Sequence, residues 1–239
     1  MLAAACTVTG TLYDDDPDTP NPSSPPDLPA MTLTLNKSGE VLIEIIGSRT
    51  ITIDWNDGKQ TETHTLSGNS SFTHEYANAN QRTITIIGEN ITRLDCSNNQ
   101  IIQLDVSEIA TLTHLFCTGN QLTGLLDLSG NVLLRTVLCN DNQLTGLNVS
   151  ANTALSALNC SNNRITGLVM TYNTALETLN CGFNEMNADA LSALLLSLHG
   201  NSLSGGKTIL INNNPGTDTC QNKDAAERSG WEVFDVVES

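Results

Sequence analysis

Cysteine is the most chemically versatile residue type in this chain, and its placement is the first constraint on function. Five of the seven cysteines, Cys96, Cys117, Cys139, Cys160 and Cys181, follow one another at steps of 21, 22, 21 and 21 residues. A thiolate can attack, ligate a metal or form a disulfide, and each use needs a partner at a set geometry. A zinc site wants local C-x-x-C pairs, and the chain has none. Cysteines at one register position in parallel strands ~4.8 Å apart share a Cβ direction, which is poor disulfide geometry. They read as small buried apolar groups. Cys220 stands apart and reads as structural.

The other reactive residues form no catalytic pattern. His64, His74, His114 and His199 lie in different segments without H-E-x-x-H spacing, and G-x-S-x-G is absent. Gly205-Gly206-Lys207-Thr208 ends like a phosphate-binding loop, but the first glycine of that motif would stand at Asn201. A helical pattern also precedes it and a strand pattern follows, the reverse of what such a loop needs. Acidic residues are scattered, so no carboxylate pair is singled out. The reading is a chain that is not an enzyme, with no cofactor and no metal. With 26 acidic against 10 basic residues, the net charge of -16 repels phosphate backbones and excludes nucleic acid as a partner. No apolar run approaches the ~20 residues of a membrane span, so a membrane is reached only through a lipid anchor.

From Ile91 to Asn184 one pattern recurs five times: L-x-x-L-x-C-x-x-N-x-L. That period and spacing resemble a leucine-rich repeat. Alternation turns Leu94 and Cys96, and their equivalents, inward on short strands. The Asn three residues after each cysteine, Asn99, Asn120, Asn142, Asn163 and Asn184, is placed to bond the following turn, and Asn214 continues the column. Losing one such amide would leave buried peptide groups unpaired at ~1 to 3 kcal/mol. The second half of each repeat is too short for a helix, so extended or 3₁₀ turns are expected on the convex side. The 22-residue step predicts a bulge near Leu125-Leu126-Asp127-Leu128. Two more repeats are disguised, at Ile209 and Ile211 and at Trp231 and Val233. Helices are expected behind the cap Asn187 and over 218–229, with Trp231 in a C-terminal cap. About seven parallel strands result for residues 90–239.

Residues 1–30 read as an extended tether. Six of seven prolines lie between Pro17 and Pro29, among Asp14, Asp15, Asp16 and Asp18. Leu2-Ala3-Ala4-Ala5-Cys6 resembles the end of a bacterial lipoprotein signal, which implies Cys6 as the lipid attachment point. Residues 31–89 alternate as strands, with an Asp57-Gly58 turn. Trp55-Asn56-Asp57-Gly58 and His74-Glu75-Tyr76 resemble the signatures of PKD-like domains, implying an immunoglobulin-like sandwich. With no linker before the first repeat, this β domain is expected to cap the stack through its Ile84 and Ile86 face. The fold class expected is therefore mainly β with few helices: a PKD-like β-sandwich, then a leucine-rich-repeat solenoid with short convex turns and two helices near the C-terminus.

The concave face offers a rigid array of side chains. Phe116 and Leu138 fall side by side on it, ringed by His114, Thr136 and Asn140, with Asn159 and Asn180 beyond. Apolar groups in a polar rim resemble a protein-binding hot spot. The whole chain resembles internalin-like bacterial leucine-rich-repeat surface proteins, in particular Bacteroidetes-type lipoproteins with a PKD-like domain. The resemblance implies a binding or adhesion module on a bacterial cell surface or outer membrane, lipid-anchored or secreted, meeting a protein ligand on host or neighbouring cells. The alternatives are glycan capture as an accessory to polysaccharide use, which the Asn- and Ser-rich columns allow, and a structural spacer.

Overall fold

The computed structural model describes residues 28–200 and 206–235. Cys6, the acidic run from Asp14 to Asp18, nearly all of the expected tether, and Gly205 lie outside them. In chain order the elements are β1 (Ala30–Leu35), β2 (Gly39–Asp54), β3 (Glu62–Tyr76), β4 (Arg82–Gly88), β5 (Ile91–Asp95) and β6 (Ile101–Asp105). There follow β7 (His114–Phe116), β8 (Thr123–Asp127), β9 (Thr136–Leu138), β10 (Gln143–Asn148), β11 (Ala157–Asn159) and β12 (Thr178–Asn180). Helix α1 (Ala188–Ser197), β13 (Lys207–Leu210), α2 (Lys223–Arg228) and β14 (Trp231–Phe234) complete the described chain. The protein is thus mainly β with two helices among the described residues.

Each repeat contributes one short strand to a parallel run in the order β5-β7-β9-β11-β12-β13-β14. The middle residue of each, Leu115, Val137, Leu158, Leu179 and Ile209, is at most 2% exposed, while its two neighbours look outward. This is period-two alternation with only one face buried, which pins the register, because a one-residue slip would expose the whole apolar column. The final repeat departs from expectation. Val233, not Trp231, lies opposite Ile209, and Trp231 lies opposite Lys207. The reason is that the Trp231 ring is taken by other partners: its indole N–H donates to the His199 carbonyl at 3.0 Å, and the Lys207 ammonium sits 5.5 Å from the ring.

Residues 31–89 do not form a separate two-sheet sandwich, in contrast to the sequence expectation. Their strands belong to the same sheet as the repeats, continuing β5-β2-β4-β1-β6, with β3 on the outer edge of β2. The physical cause is the near-continuity of β4 and β5, interrupted only by Glu89 and Asn90, so that β2 runs antiparallel beside both. At the crossing no side chain fits: a Cβ on Gly47 would lie 2.7 Å from the Asn90 carbonyl oxygen. Since β5 and β6 belong to opposite faces of the first repeat, this sheet passes over the end of the stack from one face to the other. Ile84 and Ile86 are fully buried and join Leu94 and Cys96 in one core. Asp57-Gly58 turns the chain with Gly58 at φ 82°. His74 stacks on Trp55 at 4.9 Å, and the Tyr76 hydroxyl donates to the Trp55 carbonyl, making a packed corner rather than an open site.

Convex segments are extended, as expected, but only β8 and β10 pair with each other, in parallel. Their register shifts between Leu144 and Gly146, opposite Gly124 and Leu125. The longer fifth interval, between β12 and β13, is filled by α1, where the Asn187 side chain accepts from Ala190 N at 2.9 Å. The second helix, α2, is shorter than the expected 218–229 and ends before Gly230 at φ 81°.

Candidate binding face

The side chains that alternate with the buried column stand in two rows. One runs Glu44, Asp95, Phe116, Leu138, Asn159, Asn180, Leu210 and Phe234; the other runs Ile46, Arg93, His114, Thr136, Ala157, Thr178, Thr208 and Glu232. Strand β3 extends them to Ser71 and Asn69. A sheet with this many registered strands holds its outward groups with little freedom, so a ligand meets a pre-formed surface.

Beneath the rows, two columns fix the spacing. Cys96, Cys117, Cys139, Cys160 and Cys181 are all fully buried and unpaired by disulfides. Burial pushes the Cys139 and Cys181 thiols up to about 12 and the others upward as well, since nothing there solvates a thiolate. These thiols are unreactive in the fold. The asparagine column bonds across repeats. Asn120 Oδ1 accepts from Asn99 N and Ile101 N at 3.0 Å, while its Nδ2 donates to the carbonyls of Cys96 and Cys117. Asn142, Asn163, Asn184 and Asn214 repeat the arrangement. Asn99, at the end, donates instead to the Leu42 carbonyl of β2.

A second asparagine column was not foreseen. Asn131, Asn152 and Asn173, all fully buried, each donate to two carbonyls of the preceding repeat behind the convex strands. Its signal is present in the sequence, as an Asn recurring every 21 residues, but it lies within the stronger register of the cysteines.

The structure brings the expected site residues together only partly. Phe116 and Leu138 are register partners, as are His114 and Thr136. Both apolar residues are half-buried rather than exposed, and the Arg93 guanidinium lies over Phe116, 4.5 Å from its ring centre. Arg93 reaches Asp95 at 3.5 Å, and its Nε has no protein partner. His114 meets Phe116 edge-on at 6.3 Å and pairs with the Thr113 hydroxyl. Burial, then Arg93 and Arg135, holds His114 below the usual imidazole range. Asn140 accepts from Thr118 Oγ1 and donates to Asp141. Asn159 and Asn180 are partly engaged in their own turns, accepting from Ser161 N and Gly182 N. Arg93 and the β2 and β3 contributions were missed: Arg93 precedes the first cysteine where no apolar pattern marks it, and β2 joins only through tertiary pairing. The face holds a charge-covered aromatic, an apolar neighbour and flanking amides and hydroxyls, which is equipment for contact. Among the described residues no group of three or more His, Cys, Asp or Glu is placed to hold a metal ion, and no helix is long and apolar enough to cross a membrane.

The geometry is a stack of short parallel strands, five of which are followed directly by a buried cysteine. No protein-family model and no curated protein matches the chain. Among solved structures, the functional domain of InlJ from Listeria monocytogenes, which includes a cysteine ladder, is similar at 30% identity with a TM-score of 0.48. That match covers 60% of this chain and 29% of the InlJ chain. An internalin, InlF, from Listeria monocytogenes strain 4b F2365 is similar at 18% identity with a TM-score of 0.39, over 60% of this chain and 46% of its own. This chain therefore spans less than half the length of either.

Proposed function

We propose that this chain is a non-enzymatic binding module that takes a protein ligand on the concave face, centred on Phe116 and Leu138. The observation that carries the reading is the Arg93 guanidinium over the Phe116 ring, with an unpartnered Nε, beside an apolar register neighbour. Aromatic and arginine side chains on a rigid, partly desolvated surface are the composition of interface hot spots. The partner is a protein of a host or neighbouring cell, met by a chain displayed on a bacterial surface. Cys6 is the attachment point for a lipid on this proposal, which intact-mass measurement of membrane-extracted protein tests directly.

The concave patch is tested with Phe116→Ala plus Leu138→Asp, two changes at half-buried outward positions. Binding to captured surface proteins, measured by biolayer interferometry, is expected to fall by about 30-fold or more, the scale of a hot spot near 2 kcal/mol. Unchanged affinity in a variant with the wild-type melting transition sinks the patch. Glycan capture by the same face is the second reading, favoured by Asn159 and Asn180 in the outward row, whose oxygens accept in their own turns and whose amides carry donors for sugar hydroxyls. A glycan array with the same double variant separates the two, since sugar contacts on those amides lie one and two strands beyond Leu138.

A further inference from the structure

The convex side carries a cleft that the concave reading does not use. Its origin is the 22-residue step. Asp105 follows Asn99 by 6 residues and Asn148 follows Asn142 by 6, but Asp127 follows Asn120 by 7, so the extra residue lies between 120 and 127. Gly124, at φ 72°, takes the left-handed conformation there, with no atom within 4 Å of where a Cβ would stand. Gln121 N still donates to Ile101 O at 2.8 Å, after which β6 and β8 share no ladder. Among the described residues strand β6 pairs only with β1, and β8 only with β10. The convex layer is thereby split, and the split is a cleft of about 440 Å³, within the usual size of ligand pockets.

Thr32, Gln103, Asp105, Ser107 and Asp127 supply its polar lining, with Leu104 and Leu125 as its apolar surface; no basic side chain contributes. Leu125 is 63% exposed and presents its side chain to the cleft. Each aspartate uses one oxygen in a tight turn, Asp105 accepting from Ser107 N at 2.9 Å and Asp127 from Ser129 N at 3.0 Å. Asp127 also takes the Ser129 hydroxyl, and both carboxylates, exposed at the cleft, keep acceptor capacity beyond these turns. Carboxylates that only accept, hydroxyls and an amide that do both, and a leucine surface for C–H groups together match a ligand rich in hydroxyls. Anions are disfavoured by the two carboxylates. A bare metal ion is disfavoured by the absence, among the described residues, of a third ligating group.

We propose that the cleft between β6 and β8 binds a neutral oligosaccharide, independently of the concave face. The two carboxylates accept from sugar hydroxyls, Gln103 and the hydroxyls of Thr32 and Ser107 complete the polar contacts, and Leu125 covers a ring face. The site lies where the 22-residue step leaves β6 and β8 without a shared ladder.

The test titrates the protein with neutral linear hexaoses of gluco, manno, xylo and galacto configuration, followed by amide chemical shifts of 103–107 and 123–129. At least one sugar is expected to move those signals in the wild type. Asp105→Asn with Asp127→Asn keeps the turn acceptors and is expected to weaken that sugar by about tenfold, or 1.4 kcal/mol. Deleting Gly124, which restores the 21-residue step, is expected to abolish binding in a folded protein. The concave variant Phe116→Ala plus Leu138→Asp is expected to keep full sugar affinity, so failure of one site is distinguishable from failure of the other. Silence of those signals with all four sugars overturns the proposal. So does preferential binding of spermidine that high salt removes, which would mark a cation site, or full sugar affinity in the double Asn variant.

Discussion

The two faces of the stack are written by the same repeat and have come out differently. On the concave face every repeat pairs with the next in fixed register. On the convex face one pair of strands forms, one gap opens, residues 164–170 take no strand and a helix replaces the extended segment. The asparagine columns explain the contrast. The column beside the cysteines uses both ends of the amide, so each Asn holds an N–H and two carbonyls of adjoining turns. The convex column only donates, and the Oδ1 atoms of Asn131, Asn152 and Asn173 have no protein partner. A connection that binds donors and acceptors together fixes register; one that donates alone tolerates an inserted residue or a changed segment.

The contrast is most severely tested by removing one amide from each column. Asn142→Ala deprives Leu122 N of its acceptor and takes one of two donors from the carbonyls of Cys117 and Cys139. A loss of about 2 to 4 kcal/mol is expected in urea unfolding, for an orphaned buried donor plus lost bonds. Asn152→Ala removes two donated bonds along with an acceptor that was already unpaired, so about 1 to 2 kcal/mol is expected. Equal losses would break the account of why the convex side varies.

A smaller effect should appear at high pH, in part through the thiols beside the concave column. The thiols of Cys139 and Cys181 are raised to about 12 from an ordinary value of 9.0. A raised folded pKa means the folded state holds its proton when the unfolded state has lost it. Stability is therefore complete below pH 9 and declines as pH rises toward 12. Cys139→Ala should flatten some of that decline, and the native protein should not react with a thiol reagent at neutral pH until it is unfolded. Rapid labelling of the buried thiols without unfolding would show the stack to be looser than its packing implies.

The smallest effect concerns His114 in the candidate site. Its folded pKa lies below the usual value, first from burial and then from Arg93 and Arg135. Its contribution to stability is present above pH 6.5 and is lost as pH falls through the lowered value. Arg93→Gln should raise the His114 midpoint in an NMR titration; an unmoved midpoint would place Arg93 away from the imidazole.

Residue type and spacing were sufficient for the core of the repeats. A cysteine and an asparagine every 21 residues can only be buried together if the strands are parallel and stacked, because no other arrangement brings equal positions to equal environments. The same logic yields the outward row from Asp95 to Asn180, including the Phe116 and Leu138 pair. Sequence could not show that Arg93 covers Phe116, since the contact joins side chains of neighbouring repeats whose approach depends on rotamer and strand twist. Nor could it show that residues 31–89 continue the repeat sheet. Alternation in β2 and β4 states that one face is buried but not which strand lies alongside, and that choice was made by the continuity of β4 into β5 and the tight crossing at Gly47. The extra residue before Asp127 was countable from the sequence. Whether it would bulge in place or drive neighbouring strands apart depended on the convex layer lacking a bond network strong enough to absorb it.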